Sequence, residues 1–201
     1  MADRSQDLAW SIGPAAQELS ERHRIAPGPA EPIPAWKELS GAAAWLHDAR
    51  LACAEAPPEA GKAAEWLLDN DYQVHRAIRQ IGLDLSPGFY ARLPRLAGDG
   101  EAGFPRVFAL AHDLLRVTRL QISKANAVRF TRAYQRQQPL TIAELWAFPT
   151  MLRIACLEIL ISALSPFLGE RVRPPFALTA WATDPHSLDD TERVARGIAN
   201  L

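Results

Sequence analysis

The sequence predicts an all-α fold, an irregular bundle of about five to six helices behind a proline-rich N-terminal arm. Apolar residues recur at three- and four-residue intervals over most of the chain, and no run sustains the strict alternation of a half-buried strand. No repeat of solenoid or propeller length is visible either. With 201 residues, 48% of them apolar and 22% charged, the chain can bury one well-packed core.

The elements follow in order. Residues 1–34 carry Pro14, Pro27, Pro29, Pro32 and Pro34 among small residues and read as a flexible arm. From Trp36 the spacing turns helical through Leu39, Ala43, Leu46 and Cys53, until Pro57 and Pro58, which cannot continue a helix. A second helix is predicted from about Glu59 to Gly82, with Ala63, Leu67, Val74, Ile78 and Ile81 inward and Gly82 as its C-cap. Leu85 to Gly103 reads as a connector pinned by Phe89, Tyr90, Leu93 and Leu96. Pro105 opens a third helix at its first turn, on a stripe of Phe104, Val107, Phe108, Ala111, Leu114 and Leu115. A fourth spans Ser123 to Gln137 and stops before Pro139.

Thr141 and Glu144 form a capping box for the fifth helix, whose inward line is Leu145, Phe148, Leu152, Ala155, Ile159 and Ala163 and which Pro149 should kink. Pro166 to Asp184 is again rich in proline. Asp189 and Glu192 then look like the start of a sixth helix carrying Val194, Ile198 and Leu201. The predicted organisation is an arm over 1–34, a helical domain over 35–165, and a connector with terminal helix over 166–201 that leads into a further domain. The chain thus reads as the front piece of a longer polypeptide.

Composition restricts the function. A formal charge of −1 argues against a general nucleic-acid binder, which must neutralise several phosphates. Cys53 and Cys156, each among Ala and Leu, fit buried thiols in a reducing compartment, so the cytoplasm is the expected location. No signal peptide opens the chain. The most apolar stretch, Met151 to Leu164, is short for a bilayer and is interrupted by Arg153 and Glu158, so no membrane crossing is expected. Gly98 to Gly103 lacks the flanking strand and Lys-Ser/Thr of a phosphate loop. His23, His47, His75, His112 and His186 show no ligand spacing, and no activated nucleophile is apparent. No catalytic residue, metal site or cofactor is predicted.

Two constellations remain. Glu65 and Asp69 stand one helical turn apart with Trp66 between them, and Asn70 falls near the inward seam. Paired carboxylates beside an aromatic ring suggest sugar chemistry, and a sugar-binding or glycoside-processing site would use Glu65, Trp66 and Asp69 with Trp146 or Tyr134 nearby. Glycoside cleavage needs its two carboxyls on opposite sides of the ring, however, whereas these two point the same way. The preferred reading is a structural polar network of Glu65, Asp69 and Asn70 with Arg106, Arg129 and Arg153, because a buried charge must be paired. The second constellation is a basic strip, five arginines and one lysine without an acid from Arg116 to Arg136. Arg129, Arg132 and Arg136 share a face with Phe130 and Tyr134 interleaved, so an anionic partner is an alternative to internal pairing.

The block Ala63-Ala64-Glu65-Trp66-Leu67-Leu68-Asp69-Asn70 with Tyr72 resembles the N-terminal region of the cyclic β-1,2-glucan synthases. Phe89-Tyr90, Leu93-Pro94, Gly103-Phe104-Pro105-Arg106-Val107, Arg129-Phe130, Ala133-Tyr134-Gln135, Pro139-Leu140-Thr141-Ile142, Glu144-Leu145-Trp146-Ala147 and Met151-Leu152-Arg153 continue the resemblance in order, over roughly residues 60 to 160. Members of that family are very large bacterial inner-membrane glycosyltransferases that use UDP-glucose. Their nucleotide-sugar and metal-binding acidic motifs have no counterpart here. The resemblance therefore implies a non-catalytic helical module with a structural or docking role. Its partner would be the following domains of the same polypeptide or a glucan-synthesising enzyme, at the cytoplasmic face of the inner membrane.

Overall fold

The computed structural model describes residues 2–55, 61–98, 102–168 and 173–182. The predicted sixth helix, with Asp189, Glu192, Val194, Ile198 and Leu201, lies outside them. The described residues are predominantly helical, with eight helical segments and one two-stranded sheet.

The first finding corrects the N-terminal arm. Ala2–Arg22 is a helix, α1, that packs on a later helix in the chain. Ile12, Ala16 and Leu19 repeat at helical spacing and are buried. Burial of that stripe outweighs the cost of Pro14 inside the helix. Strand β1, Arg24–Ala26, follows and pairs antiparallel with β2, Arg95–Ala97, in the register Arg24 to Ala97. These strands of three residues each are too short to show an alternation in sequence.

The first predicted helix is divided. Pro34–Lys37 forms a single turn, α2, with Pro34 at its start, and Glu38 separates it from α3, Leu39–Glu55. The buried face of α3 is Ala42, Trp45, Leu46, Ala49 and Cys53, while Trp36, Leu39 and Ala43 are only partly buried. Helix α4, Gly61–Asp84, breaks its regular geometry at Asn70, where φ is −122° and ψ is 15°. A short helix α5, Pro87–Tyr90, is capped by Ser86, whose Oγ accepts the Phe89 N–H. Helix α6, Arg106–Val117, is buried from Arg106 to Leu115. Helix α7, Lys124–Tyr134, takes Ser123 as its N-cap.

Helix α8, Ile142–Leu168, is the axis of the fold and packs against α2, α3, α4 and α6, while α1 covers α6 and α7. It continues through Pro149 and Pro166. Pro149 is exposed, so the carbonyl that loses its donor there lies on the outer side. The expectation that the apolar stretch is short needs correction, because Ile142–Pro166 is long enough to cross a bilayer and an 18-residue window within it has a mean hydropathy of 1.7. Of that window, 89% is buried inside the protein, which is how a core helix surrounded by other helices is built.

Candidate functional site

Among the described residues, buried polar groups gather at several places. The first lies where α6, α7 and the start of α8 meet. Arg106, the first residue of α6, donates from Nε to Glu144 Oε1 at 2.8 Å and from Nη2 to Glu144 Oε2 at 2.6 Å. Nη2 also reaches the Pro139 carbonyl at 3.1 Å. Glu144 closes the capping box, accepting the Thr141 N–H at 2.8 Å while its own N–H donates to Thr141 Oγ1 at 3.2 Å. Both charges are buried, Glu144 at 0% exposure. Burial pulls the Arg106 guanidinium toward neutrality, but the hydrogen bonds and charge of Glu144 outweigh it, and its pKa rises above the ordinary arginine value. The Tyr134 ring lies 5.9 Å from the guanidinium carbon, and its hydroxyl bonds His23 Nδ1 at 2.9 Å, tying the end of α1 to α7.

The second place is inside the bundle, between α6 and α8. Glu158 is fully buried, and its Oε2 accepts the Thr179 hydroxyl at 2.6 Å. His112 Nε2 stands 3.3 Å from the same oxygen but is not aligned to share a hydrogen with it. Glu158 Oε1 is buried without a hydrogen-bond partner among the described residues. The Trp181 ring stacks on His112, with centroids 5.3 Å apart and planes 18° apart, and meets Phe104 and Phe108 edge-on. The third place is at the chain crossing near Tyr90, which donates to the Glu31 carbonyl, accepts from Ile33 N–H at 3.2 Å, and stacks on Trp36. Burial chiefly raises the Tyr90 pKa.

The residues singled out in the sequence are distributed differently from the expectation. Glu65 and Asp69 are exposed, and no ion pair or hydrogen bond among the described residues joins either to an arginine. The expected network centred on Asp69 is therefore corrected. Asn70 is half-buried and acts within its own helix: its Nδ2 donates to the Trp66 carbonyl at 3.0 Å, and its Oδ1 accepts from Gln73 at 2.8 Å. Its side chain thus supplies a donor at the helix break, rather than bridging to another helix. Arg106 finds Glu144, and Arg153 finds Asp84 at 3.3 Å beside Thr150. Arg129, Arg132 and Arg136 are exposed. Trp66 is half-buried, whereas Tyr134 is fully buried and offers no ring to an outside ligand.

Trp146 is the opposite case, 79% exposed. It lies on α8 with Ile142, 76% exposed, Leu145 and Pro149, which occur at helical spacing and form one outward apolar stripe. Leu145, expected on the inward line, is instead on this outer face. The grouping of Glu158 with His112 and Thr179 is not legible in the sequence. The signal the sequence offers is a lone carboxylate in an otherwise apolar run, which by itself reads only as an obstacle to membrane insertion. No cluster suited to a metal ion occurs among the described residues.

Comparison with known proteins gives one finding of function-bearing weight. Over 113 residues the chain is 35% identical to the cyclic β-(1,2)-glucan synthase NdvB of Rhizobium meliloti (strain 1021). That region is 56% of this chain but 4% of the relative, so the chain spans a small fraction of the protein it matches. No family model matches the chain.

Proposed function

We propose that this chain is a non-catalytic helical module of, or associated with, a cyclic β-(1,2)-glucan synthase-like enzyme, and that it works by docking. The observation that carries the reading is the outward stripe of Ile142, Leu145, Trp146 and Pro149. A folded domain that buries the whole interior of α8 yet leaves a tryptophan and an isoleucine exposed at its start has kept an apolar surface for something else to cover. Tryptophan is also the residue type that contributes most at the centre of protein interfaces. The similarity to part of a far longer synthase supplies the partner class, namely the remaining domains of such a polypeptide or a separate glucan-synthesising enzyme.

The test is association by sedimentation with a cyclic β-(1,2)-glucan synthase from which the matching segment has been removed. The chain should co-sediment, Trp146→Ser should weaken association at least about tenfold, and Glu65→Gln with Asp69→Asn should leave it unchanged. Equal binding by Trp146→Ser would overturn the docking reading. Loss of binding in the carboxylate variant would favour a site built on Glu65, Trp66 and Asp69.

A further inference from the structure

The segment 173–182 has no helix or strand, yet it buries the Thr179 side chain in the bundle and packs the partly buried Trp181 against the core. Thr179 delivers a hydroxyl to Glu158, and Trp181 lays a flat ring on His112. Beneath them lie a fully buried carboxylate from α8, an imidazole and the Phe108 ring from α6, and the Phe104 ring from the segment just before α6. A carboxylate oxygen buried without a partner is a free-energy cost that a purely structural core avoids by substituting an apolar residue. Here Oε1 of Glu158 is in that condition, beside an oxygen that already receives a hydroxyl. A carboxylate with spare acceptor capacity next to an aromatic platform matches a ligand that carries several hydroxyls around a flat apolar face.

We propose that segment 173–182 is a built-in plug, and that the surface under it, centred on Glu158 and His112, is a binding site for a polyhydroxylated ring such as a hexopyranose. Thr179 stands in for a ligand hydroxyl and Trp181 for the ligand's apolar face. The site is separate from the docking stripe: Trp146 and Glu158 are twelve residues apart on α8, about 120° around the helix. The inference does not rest on the docking reading, and either one survives failure of the other.

A site closed by its own chain shows an apparent affinity reduced by the fraction of time it is open. Calorimetric titration of the full chain with glucose, with a β-1,2-linked glucose disaccharide, and with sorbitol as an open-chain polyol tests this. Thr179→Ala combined with Trp181→Ala should bind the ring ligands at least about tenfold more tightly than the unaltered chain, with little response to sorbitol. Adding Glu158→Gln should remove that gain. A cooperatively folded double variant that binds no sugar, or that binds equally well after Glu158→Gln, overturns the proposal.

Because the double variant can fail to fold, hydrogen exchange on the unaltered chain gives an independent decision. The Ala182 N–H bonds the Thr179 carbonyl at 3.0 Å. Saturating glucose, but not sorbitol, should speed its exchange as the plug is displaced, and unchanged exchange overturns the proposal.

Discussion

Replacing Glu144 is the sharpest probe of what holds the helices in register. Its carboxylate takes two hydrogen bonds from Arg106, at 2.8 and 2.6 Å, and also closes the cap on Thr141. Glu144→Ala strands a buried guanidinium, a loss of about 3–5 kcal/mol, and opens a helix cap worth about 1 kcal/mol. For a protein of this size, that total lowers the melting temperature by roughly 10 °C or more. Glu144→Gln keeps the shape and one acceptor, but it turns the other carboxylate oxygen into an NH2 facing a donor and leaves the guanidinium without its counter-charge, so a loss of about 2–3 kcal/mol is expected. Urea denaturation of both variants, with Arg106→Met and the double change Arg106→Met with Glu144→Leu, measures the coupling. The double variant should recover much of the loss, since an apolar pair leaves no charge unpaired. A loss under about 1 kcal/mol for Glu144→Ala, or a double variant as unstable as the sum of its parts, would refute the reasoning.

Other outcomes follow from the same geometry. Asp69→Ala, at an exposed position, should change stability by less than about 0.5 kcal/mol in the same denaturation assay. Gly103 has φ of +89° and a Cβ there would collide with the Glu31 carboxylate, so Gly103→Ala should destabilise by about 1–3 kcal/mol, with partial recovery on adding Glu31→Ala. Burial pushes the Cys156 thiol up to about 12, from an ordinary value of 9.0. The folded state therefore holds this proton longer than the unfolded state, and the associated stability is complete below pH 9.0 and lost as pH rises toward about 12. Thermal melts across that range should show an alkaline decline, and Cys156→Ala, although less stable overall, should show a shallower one. Cys156 should also resist thiol reagents at neutral pH until the chain is unfolded, which a timed alkylation assay with and without denaturant would check.

The helical class and much of the interior were legible because they rest on local patterns. The capping box at Thr141 and Glu144, the start of α6 after Pro105, and the stripes through Val107 and Leu114 and through Leu152 and Ile159 need only neighbouring residues to be recognised. Helix α1 is masked in the sequence by the prolines among residues 1–34, although Ile12, Ala16 and Leu19 carry the helical spacing. Partner choice was not legible. Arg106 faces Glu144 and Arg153 faces Asp84 because of how α6, α4 and α8 cross, and nothing in the local spacing of any of these residues specifies that crossing. Glu65 and Asp69 were misassigned for the same reason: a carboxylate beside an apolar seam reads as inward until the helix rotation is known. Glu158 lay in plain sight, but the meaning of a charge inside an apolar run depends on Thr179 and His112, which are distant in sequence.

The position of α8 in both space and sequence governs how this chain can be made. It touches α2, α3, α4 and α6, all of which leave the ribosome before it. Until its residues emerge, those earlier helices expose the apolar faces that α8 will later cover, and a helix in a protein draws most of its stability from such packing. Nascent chains shorter than about Leu164 should consequently be open, sticky intermediates in need of chaperone protection, with productive collapse delayed until α8 is available. Completion of the fold during synthesis is thus timed by the appearance of one segment, whatever pairs such as α1 with α7 or α3 with α4 have formed before it.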